Sequence, residues 1–149
     1  MTDIPPVLNR YINGLKAHDV DAIAATVSED LAFVSAGRTL DKPQFLAMLR
    51  ALYTAFPDWH YDHAPPEIRE DDIAVQWRQG GTHTGTFAMP GLDPVEPTGR
   101  TVTIAAQYFF YKLCGDRIVE IRPDPVPGGA PQAIFEQIGV DETTRPPCG

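Results

Sequence analysis

Near the C-terminal end of the chain Glu120, Arg122 and Asp124 recur at every second position, so on an extended strand all three share one face. A carboxylate entering apolar surroundings has its pKa raised by desolvation, and a nearby guanidinium lowers it again. That balance can bring Asp124 into the range of a general base for a proton beside a carbonyl, with Arg122 available to stabilise the oxyanion. The plainer alternative is that Asp124, set between Pro123 and Pro125, is a solvated turn residue. His83, in Gly81-Thr-His-Thr-Gly85, falls in line with Ile73, Val75 and Trp77 if that strand stays regular. It could donate to a developing enolate oxygen, or it could be a structural histidine at a bulge. Asp58, His60 and Asp62 alternate, and a carboxylate–imidazole set can hold a divalent ion. Trp59 and Tyr61 are the large apolar residues of that strand, however, so they take the inner side and leave the trio in water. No metal site is expected. His63, in register with Trp59 and Tyr61, faces inward either as pocket lining or as a satisfied core residue.

Other chemistries find no support. There is no Gly-x-Ser-x-Gly elbow, no phosphate-binding loop and no dinucleotide glycine pattern. Cys114 and Cys148 are the only cysteines, too few for a disulfide framework or a thiolate zinc site, and both read as free thiols. Twelve Lys and Arg against twenty Asp and Glu give a net charge of −8. Such a surface repels phosphate backbones and anionic lipid, so neither nucleic acid nor membrane is an expected partner. No apolar run reaches the ~20 residues of a membrane span. The opening Met-Thr-Asp-Ile-Pro-Pro lacks a basic stretch followed by an apolar one, and a cytoplasmic protein is expected.

These residues must be positioned by the elements around them. At 149 residues the chain suits one domain, with a core over 5–140 and a frayed tail over 141–149. Pro5 and Pro6 suit a first helical turn, followed by Val7, Leu8, Tyr11, Ile12 and Leu15 at helical spacing. Asp19 or Asp21 can cap a second short helix with Ile23, Ala24 and Val27 on its apolar side. Leu31 to Val34 is a short strand. Asp41 and Gln44 have capping-box spacing, and Phe45, Leu49, Leu52 and Phe56 form the stripe of a third helix that Pro57 stops. The period then changes to two. Strands are expected from Trp59, from Ile73 to Arg78, over 100–113, and from Arg117 to Asp124, with Gly80, Gly81 and Gly85 marking a bulge or close backbone approach. Residues 88–99 form a Pro/Gly loop, as do Pro125 to Gly129. Pro131 opens a last helix with Ile134, Phe135 and Ile138 on one face, and Gly139 closes it. Helices first and strands afterwards give an α+β domain with the helices on one sheet face. Tyr108, Phe109, Phe110 and Tyr111 put aromatics on both faces of one strand, which should therefore be covered on both sides.

This order resembles the nuclear transport factor 2-like superfamily, and within it the SnoaL-like polyketide cyclase group. The matching stretches are Leu52-Tyr-Thr-Ala-Phe-Pro-Asp58, Val75-Gln-Trp-Arg78, Gly81-Thr-His-Thr-Gly85, Pro97-Thr-Gly-Arg-Thr101 and Gly115-Asp-Arg-Ile-Val-Glu120. The resemblance implies a cone-shaped α+β barrel, a curved antiparallel or mixed sheet whose N-terminal helices enclose an apolar pocket. It also implies homodimers through the outer sheet face, and an aldol-type ring closure without metal or organic cofactor, using an Asp on the last strand as acid and base. Asp124-Pro125 is the nearest match to that Asp. The approach to it is about two residues shorter than in the group, and a Pro-Gly-Gly loop follows. Asn9-Arg-Tyr11-Ile12 followed by Asp19-Val-Asp21 is similar to the first helices of the ketosteroid isomerases, and Tyr11 matches their oxyanion-donating Tyr. Their general-base Asp falls at Ser35, whose hydroxyl cannot take a proton from carbon unaided, so steroid isomerisation is discounted.

The expected function is a cofactor-free cyclase or isomerase acting on an apolar, carbonyl-bearing small molecule. Asp124 would be the base, with Arg122, His83 or Tyr11 on the oxyanion, and Phe33, Trp59, His63, Trp77 and Phe109 lining the pocket. A non-catalytic small-molecule-binding or dimeric interaction module of the same fold is the alternative. Arg122-Pro-Asp124 also resembles part of the Asp–Arg–Asp set of epoxide hydrolases, although no second Asp is found on a neighbouring strand.

Overall fold

Proline and carboxylate caps set the helical part of the chain. A computed structural model describes residues 4–35, 38–88, 93–124, 126 and 132–138. Helix α1 (Pro6–Ala17) starts on Pro5 and buries Val7, Leu8, Tyr11, Ile12 and Leu15. It ends at His18, which takes the left-handed conformation (φ 55) that favours glycine. Tertiary contacts offset that strain, since the His18 ring stacks on Tyr53 with centroids 4.1 Å apart and its Nε2 lies 2.6 Å from the Trp59 carbonyl. Asp19 caps α2 (Val20–Ala24) by accepting from the Ala22 N–H. Helix α3 (Lys42–Ala55) carries the reciprocal capping box between Asp41 and Gln44. Its Phe45, Leu49 and Leu52 are buried, and Phe56 forms the C-cap.

The strands are β1 (Val27–Ser35), β2 (Arg38–Leu40), β3 (His60–His63), β4 (Glu67–Ile68), β5 (Ile73–Thr82), β6 (Thr101–Cys114) and β7 (Arg117–Pro123), followed by α4 (Gln132–Ile138). They form one open mixed sheet ordered β2-β1-β7-β6-β5-β3, with β4 beside β5. Pairing is antiparallel except between β1 and β7. The fold is α+β, as expected. Two short strands, β2 and β4, extend the expected set. β1 also begins four residues earlier than its apolar run, at Val27. Helical spacing assigned Val27 to α2, but parallel pairing with β7 claims it, Val27 lying opposite Ile118 and the Ile118 N–H donating to the Thr26 carbonyl at 2.8 Å.

The β5–β6 register slips between Trp77 and Gln79, where Ala105 and Ala106 sit side by side and exposed on β6. Such a bulge bends the ribbon. The expected role of the glycines narrows to close approach: a Cβ on Gly81 would meet the Trp59 ring at 2.9 Å, and one on Gly80 the Val102 carbonyl at 2.9 Å. Helix α3 packs on β1, α1 on β3 and β7, and α4 on β6. The core between them includes Leu8, Ile23, Phe45, Val75 and Ile121. Cys114 is an exposed free thiol, and no described helix is long and apolar enough to cross a membrane. The readings made for Pro125, Pro131, Gly139, Cys148, the Ser35 and Phe135 side chains and the 141–149 tail lie outside the described residues.

Candidate functional site

Helices α1 and α3 meet the inner sheet face over a small hollow of about 60 Å³. Tyr11 and Leu15 of α1, Phe45 and Met48 of α3, and Phe33 of β1 form one side. Trp77 and Gln79 of β5 with Phe109 and Tyr111 of β6 form the floor, and Phe87 and Ile134 also line the hollow. Period-2 alternation explains the floor. Trp77 lies opposite Gln107, Val75 opposite Phe109, and Ile73 opposite Tyr111, and all six side chains are buried.

Polar atoms are few on this wall, and most are phenolic. The Trp77 indole N–H donates to the Tyr111 hydroxyl at 2.9 Å. The Tyr111 hydroxyl also interacts with that of Tyr11, the two rings meeting edge-on with centroids 5.5 Å apart. Beside them the Tyr61 and Tyr53 hydroxyls share a 2.7 Å hydrogen bond, and Gln79 Oε1 accepts from the Trp59 indole at 3.3 Å. Burial pushes the pKa of all four tyrosines above the usual phenol range, and the hydroxyls' mutual contacts reinforce this for Tyr11 and Tyr61. They therefore stay protonated at neutral pH, as hydrogen-bond donors rather than bases. A donor held in a low-dielectric wall is suited to a carbonyl oxygen that gains negative charge.

Among the residues singled out from sequence, Tyr11, Phe33, Trp77 and Phe109 meet at this hollow. Trp59 is buried outside the lining, its indole N–H donating to Gln79 on the wall. His63 packs its ring 5.1 Å from that of Trp77 but lies at the strand edge, with Nδ1 2.8 Å from the Ala64 carbonyl. Together with Asp62, Gln76 and Arg78 it lines a separate polar depression.

His83 is fully buried and lies outside the hollow's wall. The Thr98 N–H donates to its Nδ1 at 3.2 Å, and the Thr98 hydroxyl lies 2.9 Å from the same atom. Nδ1 is thus an acceptor and the ring is neutral with its proton on Nε2. Nε2 is buried, and the backbone at Gly85 and Val95 partly offsets the effect of burial on the ring. The ring stacks on Phe56 at 5.2 Å, and burial lowers its pKa. His83 fastens the 93–99 segment to the end of β5.

Glu120, Arg122 and Asp124 share a face, as their spacing implies, but it is the outer one. Ile121 and Pro123, opposite Tyr111 and Phe109, are buried on the inner side and leave the even-numbered residues outward. Arg122 is exposed and donates to Glu120 at 3.0 Å, with Lys112 3.7 Å from the same carboxylate oxygen. Asp124 is half-buried and uses its backbone. Its N–H donates to Tyr108 at 2.9 Å, and its carbonyl accepts from the Gln107 amide at 2.8 Å. Neither Arg122 nor Asp124 lines the hollow. Asp58, His60 and Asp62 are exposed, and no group of three or more potential metal ligands occurs among the described residues.

Sequence reasoning singled out Phe109 but not Tyr111, which has the same strand parity. It also passed over Gln79, a polar residue at an inward position two past Trp77, and Tyr53, which lies off the main stripe of α3. A polar atom at an inward position was the available signal in each strand.

The sequence profile of the SnoaL-like domain matches residues 8–121. Three solved structures illustrate the fold. AclR of Streptomyces galilaeus, a proposed hydroxylase, is 19% identical over 89% of this chain and 82% of its own, with a TM-score of 0.67. A proposed SnoaL-like polyketide cyclase of Jannaschia sp. CCS1 is 18% identical over 95% of this chain and 99% of its own, with a TM-score of 0.65. IdmH of Streptomyces antibioticus, a proposed polyketide cyclase, is 18% identical over 90% and 96%, also at 0.65. No functionally curated protein matches the sequence.

Proposed function

The chain belongs to the SnoaL-like domain family, and on that premise we propose that it is a cyclase or isomerase acting on a neutral, carbonyl-bearing small molecule bound in the hollow between α1, α3 and the sheet. The observation that carries this reading is the Trp77–Tyr111 hydrogen bond at 2.9 Å in an otherwise apolar wall. With its oxygen already accepting from the indole, Tyr111 has its O–H proton available for Tyr11 or a ligand. If Tyr111 donates to Tyr11, the Tyr11 proton is available instead. In either arrangement one phenolic proton remains for a substrate carbonyl. No described lining side chain is a base, so solvent water or hydroxide takes the proton from the neighbouring carbon; the C–H electron pair then moves onto that oxygen as an enolate, and the donor becomes stronger where it is needed.

Asp124 is given no step in this reading, because its strand position lies off the described wall. That same placement favours a second reading, in which the hollow binds its ligand without turnover. Solvent deuterium exchange at the carbons beside the carbonyl of cyclohexanone, followed by NMR, separates the two. Catalysed exchange that falls by about a hundredfold in the double variant Tyr11→Phe/Tyr111→Phe, with binding retained, supports the enzyme. Saturable binding with no exchange above buffer supports the binder.

A further inference from the structure

The hollow restricts what can enter more tightly than the family alone implies. Its volume of about 60 Å³ is below the ~150 Å³ of a buried apolar cavity that holds benzene. It falls further short of the ~300 Å³ at which pockets for larger ligands begin. Side-chain adjustment can supply one ring's worth of space. Met48 on the wall is only partly buried, and an unbranched thioether repacks easily. A fused-ring guest needs more, and the α4 side resists. Ile134 lines the hollow from α4, and α4 is tied down by Gln137, whose side chain accepts from the Thr103 N–H at 3.1 Å and donates to its carbonyl at 3.0 Å. Arg100 adds a 3.1 Å bond to the Gln137 carbonyl. On the opposite side the floor is the paired β5–β6–β7 ladder, bulged between Trp77 and Gln79. No charged side chain occurs among the described lining residues, so an anion or cation entering would find no counter-charge.

We propose that the ligand is an uncharged molecule of a single ring bearing one hydrogen-bond-accepting oxygen, and that Ile134 sets this size limit. The inference rests on the reading of the hollow as a ligand site. It is tested on the full chain by thermal shift and tryptophan fluorescence titration with five probes: cyclohex-2-enone, cyclohexene, cyclohexene-1-carboxylate, the two-ring ketone 2-tetralone and the three-ring ketone anthrone. Cyclohexenone is expected to bind saturably and about tenfold more tightly than cyclohexene, the worth of one neutral hydrogen bond at the upper end. Tyr11→Phe/Tyr111→Phe should remove that difference, and neither the carboxylate nor anthrone should bind. In Ile134→Ala the two-ring ketone 2-tetralone should bind more tightly than in the unmodified protein. Binding of anthrone or the carboxylate as tight as that of cyclohexenone overturns the size or charge limit while leaving the ligand site standing. Equal affinity for cyclohexenone and cyclohexene removes the oxygen requirement, and unchanged tetralone affinity in a folded Ile134→Ala removes Ile134 as the limit. Failure of every probe to bind overturns the ligand site itself.

Discussion

Trp77 on β5 and Tyr111 on β6 join across the sheet through a 2.9 Å indole-to-hydroxyl hydrogen bond, although they are not cross-strand partners, since Trp77 lies opposite Gln107 and Tyr111 opposite Ile73. The bond thus runs diagonally along the inner face and spans four residues along each strand. Both residues are almost fully buried, at 2% and 1% exposure, so neither polar atom has water as a substitute partner. Trp77→Phe removes the donor and leaves space, and is expected to lower stability by about 2–4 kcal/mol. Tyr111→Phe keeps the ring and should cost less, about 1–2 kcal/mol. Urea denaturation of the two variants checks the order, and a costlier Tyr111→Phe would contradict it.

The phenols give an alkaline signature. Tyr11, Tyr53, Tyr61 and Tyr111 all have raised pKa values, chiefly through burial. In the unfolded chain they ionise near pH 10. Their contribution is complete below that pH and is lost as pH climbs above it, because only the unfolded state then releases the protons. Absorbance at 295 nm should show these four phenolates emerging together with unfolding in a pH-jump experiment. Gradual titration of all five tyrosines in the folded protein would contradict the buried cluster.

His83 gives the acid counterpart. Its folded pKa is lowered from 6.5 by burial, and protonation would set an N–H against the Thr98 N–H that now donates to Nδ1. The stabilisation is present above pH 6.5 and is lost as pH falls below it, since the unfolded state takes up the proton first. The urea midpoint of the unmodified protein should therefore decline below that pH. In His83→Gln the decline should be shallower, although the variant starts from a lower stability.

Gly85 is fixed by contact. Its N–H and that of Thr84 both donate to the Ala55 carbonyl, at 2.9 and 3.0 Å, which brings the chain against α3 so closely that a Cβ would clash with the Thr54 carbonyl oxygen. Gly85→Ala is expected to cost about 3 kcal/mol through backbone displacement. Gly115 has φ 62 with open space around it, so Gly115→Ala should cost only about 1 kcal/mol. Thermal unfolding of the pair separates packing from conformation.

Asp124 engages the fold through its main chain. Asp124→Asn should alter stability by no more than about 0.5 kcal/mol. Gln107→Leu, which strips a hydrogen bond from the Asp124 carbonyl, should cost about 1–3 kcal/mol. If Asp124→Asn also leaves cyclohexanone exchange within about twofold, the oxyanion donors act without it; a loss of about a hundredfold would restore it as the base.

Much of the architecture was legible in local chemistry. Prolines and a capping box fixed the starts of α1 and α3, and parity sorted Ile73, Val75 and Trp77 inward and Arg78 outward, because the side-chain period of a strand is a local property. Parity also put Glu120, Arg122 and Asp124 on one face. Which face that was depended on Ile121 and Pro123 meeting Tyr111 and Phe109 on the neighbouring strand, a register set by pairing across the chain. Val27 joined a strand for the same reason, its partner lying on β7. The site followed this division. Aromatic residues announced an apolar interior, but only their packing brought the Tyr11 and Tyr111 hydroxyls together beside the Trp77 indole, from three elements distant in sequence. A sequence carries the periodicity of each element, whereas the direction of a polar atom is set by the neighbour that satisfies it, and that neighbour exists only once the chain has folded.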